Sequence, residues 1–324
     1  MNPTPAAPPS PLDLDRETMR RLGHRVADLV ADHLATLRDQ PVQRSLTRAE
    51  AQRLVAAPAP EHGRPFDELL DYLGERVFPY HAREPHARFL AYIPSCPTFP
   101  AVLGDWLATG FNFFAGVWSV AAGPNALELQ VLEWFRSWMG MPTGTSGLLT
   151  PGGSAATLTA VVAARHAAVA DDETRLPRLV MYTSDQAHSS VPRAGWIAGL
   201  ARANVRVVPS DDRLRMRSNA LRAAIRRDRD AGLMPFLVVG SAGTTSTGAV
   251  DPLHALADVC EAEGAWFHID AAYAGFAALT ERGRRALAGL ERADTLTLDP
   301  HKWLFVPFEC GCLLARDPRA LADA

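Results

Sequence analysis

Lysine is almost missing from this chain. Of 33 basic residues in 324, one is lysine, Lys302, and the other 32 are arginine (33 − 1). Cysteine is scarce as well: Cys96, Cys260, Cys310 and Cys312, with no CxxC pair. That excludes a disulfide framework and a zinc-ribbon pattern, and it fits a reduced, cytoplasmic protein. There is no excess of positive charge; the net charge is −3, which argues against general nucleic-acid binding. The arginines at 222, 226, 227 and 229 alternate with acids and read as a solvated helix face. No run of about 18 apolar residues marks a membrane span. The N-terminal "MNPTPAAPPSPLDLDRE" has neither a basic nor an apolar region of the kind a signal peptide needs. The expectation is a protein with no membrane and no nucleic-acid partner.

What remains is ordinary globular material, 48% hydrophobic and 21% charged, enough for one large or two smaller domains. Residues 1–12, rich in Pro and Ala, read as disordered. From Arg16 to Leu37 apolar residues recur at three- and four-residue steps, and Phe66–Val77 repeats the pattern. Residues 13–84 are therefore expected to form a helical arm that must pack on something else. Residues 85–324 read as the main domain. Its apolar stretch 89–139 ends in an expected helix, Asn125–Trp138.

Beyond 147, β-branched runs alternate with helical patterns. The expected strands are Leu179–Tyr182, Val205–Val208, Phe236–Val239, Ala265–Ile269, Thr295–Leu298 and Cys312–Ala315. The expected helices are Ala155–Ala168, Ser218–Ala231 and Leu253–Ala262. Alternation of this kind predicts an α/β fold with a mainly parallel or mixed sheet.

In such sheets ligands bind beyond the carboxyl ends of the strands. His188 follows the first of these strands, Thr244 and Thr245 the third, Asp270 the fourth, and His301 and Lys302 the fifth. They would meet at one sheet edge. "LLTPGGSAATLTAVVAAR" (148–165) adds Gly152, Gly153 and Ser154 just ahead of an Ala-rich helix, with Ser154 expected as its N-cap. A helix N-terminus of this kind favours an anion, most often phosphate. It is neither a P-loop nor GxGxxG, so a dinucleotide is not expected.

A phosphate site, a lysine in apolar surroundings and an acid at a strand end suggest pyridoxal 5'-phosphate (PLP). Its aldehyde condenses with a primary amine. A desolvated lysine can lose its proton to do this and a guanidinium cannot. A carboxylate beside the ring nitrogen would keep it protonated, which suits Asp270, and His188 could stack on the ring. Singly, each residue has a plainer reading: Asp270 as a helix cap, His188 as a loop histidine, the threonines as turn residues, Lys302 as codon bias. A zinc reading of His268, Asp270 and His301 lacks a further ligand at metal-type spacing. No metal is expected.

Three segments, "SDQAHSSVPRAG" (184–195), "HIDAAYAG" (268–275) and "DPHKWL" (299–304), resemble the signatures of the group II PLP-dependent amino-acid decarboxylases, nearest to the aromatic-L-amino-acid branch. "HARFLAYIPSCPTFPAVLGDWL" (86–107) and "GGSAATLTAVVAAR" (152–165) are similar to that family too, and the likeness runs from about residue 14 to the end. The resemblance implies a fold-type I large domain and a homodimer on whose partner the N-terminal arm packs. It implies that Lys302 bonds the cofactor, Asp270 pairs with its ring nitrogen and His188 stacks on it. Gly153, Ser154, Thr245 and His301 would lie around the phosphate and Ala272 against the other ring face. Tyr92, Ile93, Pro94 and Ser95 would line the substrate pocket, with Phe113, Phe114 and Trp118 suited to an aromatic side chain.

The implied activity is decarboxylation of an L-amino acid, of the DOPA, tryptophan, tyrosine or phenylalanine kind, to amine and CO₂ by way of aldimine and quinonoid intermediates. The alternatives are a PLP-binding subunit impaired in turnover and an aromatic aldehyde synthase. Family members run well past 324 residues. The resemblance therefore implies that the mobile loop bearing the proton donor, and the C-terminal small domain, are not in this sequence.

Overall fold

The computed structural model of the chain describes residues 13–93, 95–170 and 172–324. Residues 1–12, expected to be disordered, and Pro94, expected in the substrate pocket, lie outside the described residues. The chain divides into two compact units, the first ending at Ala91 and the second beginning at Tyr92.

The first unit holds α1 (Arg16–Ala35), α2 (Arg48–Val55) and α3 (Phe66–Arg76). Asp15 caps α1 through the Thr18 N–H, and Thr47 with Glu50 forms a reciprocal capping box on α2. Arg21 and Arg25 of α1 reach Asp67 and Asp71 of α3 at 2.8 and 2.7 Å. These pairs are exposed and worth little by themselves. None of the residues of α1, α2 or α3 is buried, although each helix has the spacing of an amphipathic one.

The second unit runs α4 (Phe99–Phe111), α5 (Ala122–Trp138), β1 (Ser146–Thr150), α6 (Gly153–Val169), β2 (Leu179–Ser184), α7 (Ser190–Ile197), β3 (Val205–Val208), α8 (Ser218–Asp230), β4 (Met234–Ser241), α9 (Leu253–Glu263), β5 (Trp266–Asp270), α10 (Glu281–Ala286), β6 (Thr295–Leu298), α11 (Pro300–Trp303), β7 (Gly311–Ala315) and α12 (Arg319–Ala322). Its seven-stranded sheet has the order β1-β7-β6-β5-β4-β2-β3. Strands β2 to β6 are parallel to one another, and β7 runs antiparallel to both β6 and β1. The sheet is mixed, an α/β fold as expected.

Alternate residues of each strand feed two cores. Val180, Tyr182, Val238, Ile269, Leu296 and Leu298 pack with Leu132 and Phe135 of α5, Leu221 and Ile225 of α8 and Leu256 of α9. Leu179, Met181, Leu237 and Val239 pack on the other side with Val161 and Ala164 of α6 and Val191 and Ala194 of α7. All six residues of β2 are buried, as expected for a strand covered on both faces. Because β2, β4, β5 and β6 are parallel, their carboxyl ends share one edge.

Candidate active site

At that edge lies a cavity of about 330 Å³. Strand ends and one helix start build it. Loop 184–190 after β2 brings His188 and Ser190. The segment after β4 brings Gly243, Thr244 and Thr245. Asp270 and Ala272 come from the end of β5, and Asp299, His301 and Lys302 follow β6. Gly152, Gly153 and Ser154 open α6, and all of these residues line the cavity.

The sequence reading of Ser154 as N-cap needs correction. The cap is Gly152, at φ 97°, with no side-chain cap hydrogen bond, and the helix starts at Gly153. A glycine cap costs little and leaves the first-turn N–H groups available. Ser154 therefore sits in the first turn of the helix as a lining residue. A Cβ at position 153 would stand 2.9 Å from both carboxylate oxygens of Asp299 and 3.1 Å from the Ala272 Cβ. Only glycine fits between them.

His188 Nδ1 lies 2.7 Å from Ser190 Oγ and accepts the Ser190 N–H at 3.3 Å, which places the ring proton on Nε2. Asp270 Oδ1 accepts the Ala272 N–H at 3.1 Å. His301 is buried, with Nδ1 accepting the Cys310 N–H at 3.1 Å. Lys302 Nζ meets Asp299 Oδ2 at 2.9 Å. Asp299 is 2% exposed, and burial pushes its carboxyl above the usual range against the pull of Lys302 and His301. Below Asp270 on β5, His268 is fully buried between Thr295 Oγ1 (3.0 Å) and Thr297 Oγ1 (3.3 Å), and burial lowers its pKa to about 4. Among the described residues no cluster of His, Cys, Asp or Glu could hold a metal ion.

Of the sequence-derived candidates, Lys302, Asp270, His188, Gly153, Ser154, Thr245, His301 and Ala272 all line this cavity. Tyr92, Ile93 and Ser95 do not. Tyr92 is 87% exposed, and Ser95 is buried with its Oγ donating to the Val306 carbonyl at 3.0 Å. Their segment is tied to loop 305–306, where the Thr98 N–H also bonds the Phe305 carbonyl. Phe113, Phe114 and Trp118 are exposed. Sequence reasoning missed Asp299 and Ser190. An acid three residues ahead of the single lysine was a usable signal for the first. For the second, the sign was a serine two residues after a loop histidine.

A lysine paired inside a cavity, an acid at a strand end, a histidine and an uncapped glycine-led helix define a site for an anionic carbonyl cofactor. The chain belongs to the pyridoxal-dependent decarboxylase conserved domain family, whose model matches residues 49–324. Pyridoxal phosphate is its cofactor. The chain is 40% identical over 311 residues to an aromatic-L-amino-acid decarboxylase of Bacillus atrophaeus, covering 96% of this chain and 64% of that one. It is 33% identical over 320 residues to a phenylacetaldehyde synthase of Arabidopsis thaliana, covering 96% and 65%. The crystal structure of Oryza sativa TDC with PLP and tryptamine superposes with a TM-score of 0.91 at 32% identity, covering 96% of this chain and 66% of that one. The chain thus spans about two thirds of the length of these relatives.

The residues present fit the cofactor. Gly152 and Gly153 keep side chains out of the α6 N-terminus, where a phosphate would take the free N–H groups. Lys302 supplies the primary amine. Oδ1 of Asp299 is buried without a hydrogen-bond partner among the described residues, so the polar lining is incomplete as it stands.

Proposed function

We propose that this chain carries out PLP-dependent decarboxylation of an aromatic L-amino acid to its amine and CO₂. One observation carries the reading: Lys302, Asp270, His188 and the glycine-led start of α6 line the same cavity. When bound, PLP supplies an electron sink for the pair left at Cα as CO₂ departs. Lys302 would hold the cofactor through its primary amine. Asp270, a carboxylate at the end of β5, keeps a proton on the ring nitrogen and so maintains the sink. His188, with its proton on Nε2, covers the ring. Gly153, Ser154, Thr245 and His301, which line the cavity, would hold the phosphate end, and Ala272 would leave room for the ring. Aromatic substrates are favoured by the likeness to an aromatic-L-amino-acid decarboxylase and by the aromatic side chain of Phe308 at the cavity wall.

A homodimer belongs to the same proposal. Trp106, Leu107, Phe111, Phe114, Trp118 and Val120 are exposed in the second unit, and large apolar side chains left uncovered in this number favour an interface. A second copy covering them is the arrangement we propose, and it agrees with Tyr92, Ile93 and Ser95 lying outside the lining of this chain's own cavity. Four cysteines kept as thiols support a cytoplasmic location.

The purified chain, supplied with PLP, should convert L-DOPA, tryptophan, tyrosine or phenylalanine to amine with equimolar CO₂ and sediment as a dimer. Aldehyde and hydrogen peroxide in place of amine would overturn the decarboxylase reading, and a monomer at micromolar concentration the dimer.

A further inference from the structure

We propose that Ser190 is a positioning residue for His188: its hydroxyl and its backbone N–H together occupy Nδ1 of the imidazole, hold the ring in one plane and keep its proton on Nε2, the nitrogen that Ser190 leaves free. The proposal rests on the reading of His188 as the ring that covers the cofactor.

The bond made at one ring nitrogen of a histidine decides which tautomer is present. Here the direction is set by a backbone amide, which can only donate. The Ser190 N–H points at Nδ1 at 3.3 Å, so that nitrogen bears the lone pair. The Ser190 hydroxyl, 2.7 Å from the same atom, must then donate as well, and its bond is the shorter of the two. A free N–H at a helix start is usually taken by the cap residue. Ser189 holds the N-cap position of α7 and makes no side-chain cap hydrogen bond. The His188 ring takes the N–H of Ser190, the first residue of the helix, in its place. The imidazole is thus built into the start of α7.

That helix is fixed in turn. Val191 and Ala194 are buried in the core with Met181 of β2, and a Cβ at Gly195 would meet Met181 Sδ at 2.5 Å. The backbone ahead of the histidine is tied as well. The Gln186 N–H bonds Ser184 Oγ and the Ala187 N–H bonds the Ser184 carbonyl, each at 3.2 Å. Ser190 itself is 6% exposed, so its hydroxyl faces little competition from water. Without that hydroxyl the ring would turn about χ2, which is a broad torsion, and the proton would distribute over both nitrogens. With it, the cavity meets a fixed aromatic plane whose free edge donates. The plane sets the contact with a flat cofactor, and the tautomer sets the polarity of the edge beside it.

The full chain with isotope-labelled histidine gives the first readout, before PLP is added. At about pH 8.5 an ordinary imidazole is neutral, and the nitrogen chemical shifts of Nδ1 and Nε2 separate the two tautomers. The His188 signals are assigned by their loss in His188→Gln. In the wild type Nδ1 should resonate as a bare nitrogen and Nε2 as a protonated one. In Ser190→Ala the two should move towards each other, and Ser190→Thr, which keeps the hydroxyl, should restore their separation. Ser190→Cys, with a poor donor of similar shape, is the second variant should Ser190→Ala fail to fold. The second readout is equilibrium titration with PLP. Ser190→Ala should bind about fivefold more weakly, the worth of one hydrogen bond, and Ser190→Thr should bind as the wild type does. Wild-type shifts in Ser190→Ala, or a lower melting temperature with shifts and affinity both unchanged, overturn this proposal alone and leave Ser190 a structural residue of α7. A wild-type chain that shows the single tautomer and takes up no PLP overturns the cofactor reading and this proposal together.

Discussion

Arginine at position 302 would keep the charge and lose the chemistry, because a guanidinium does not give up its proton to attack a carbonyl. The same reasoning, that a side chain is present for what it can do with a proton, applies to His268. Its ring is fully buried with a pKa of about 4, against 6.5 when exposed. Between those values the unfolded chain binds a proton that the folded chain does not, so this residue makes stability fall as pH drops from 6.5 towards 4. Asp251, Asp294 and Asp299 are raised by burial and act in the opposite sense, adding stability at low pH that is lost as pH rises through their folded values. The comparison must therefore be between variants. From pH 7 to pH 5 the wild type should lose about 2 kcal/mol more than His268→Gln in urea denaturation. Equal losses would show that His268 takes its proton while buried.

The residues at strand ends could be read from the sequence because a parallel sheet converts chain position into spatial position. His188, Asp270 and Lys302 follow three β-branched runs, and the sheet gathers them. Tyr92, Ile93 and Ser95 follow no strand, and within one chain the structure keeps them out of the cavity lining.

At the scale of elements, the start of α6 connects fold to site most directly. Its alanines, Ala156 and Ala160, pack against Leu313 of β7 and set the helix close on the sheet. Gly153 then brings the helix start against Asp299 and Ala272. Gly153→Ala adds a carbon where 2.9 Å is available. We expect a cost of about 1–3 kcal/mol from overpacking, partly offset by the better helix propensity of alanine. Because the crowding falls on the phosphate end, PLP affinity should drop by about tenfold or more, each 1.4 kcal/mol being a factor of ten. Unchanged affinity in an equilibrium titration would contradict this. Val205–Val208 and Thr295–Leu298 were legible to the residue, since β-branched and leucine runs between turn signals have few other readings. Other elements were not, among them α4, α7 and β1. Helix α4 is apolar all round and lacks the polar face that reveals a helix. Helix α7 contains Pro192 and Gly195, both poor helix formers. Gly195 is required because a Cβ there would strike Met181 Sδ on β2. Strand β1 is short and contains Gly147, where a Cβ would strike the Leu313 carbonyl oxygen of its neighbour β7.

For the whole molecule, the second unit buries its sheet on both faces and still exposes a run of aromatic and aliphatic side chains along α4 and the segment after it. The first unit is three helices with none of their residues buried. Neither pattern was visible from composition, which reports how much apolar surface exists and not which part of it the fold covers. Among the described residues no helix is long and apolar enough to cross a membrane. A partner of the same sequence accounts for the exposed surface under the proposed dimer. The central claim, that one amine in this molecule carries the cofactor, has a direct test. The chain is incubated with PLP, reduced with borohydride and digested, and the modified peptide is identified by mass spectrometry. One equivalent of pyridoxyl group on Lys302, absent from Lys302→Ala, is the predicted result. Label on the α-amino group alone, or no label, would contradict it.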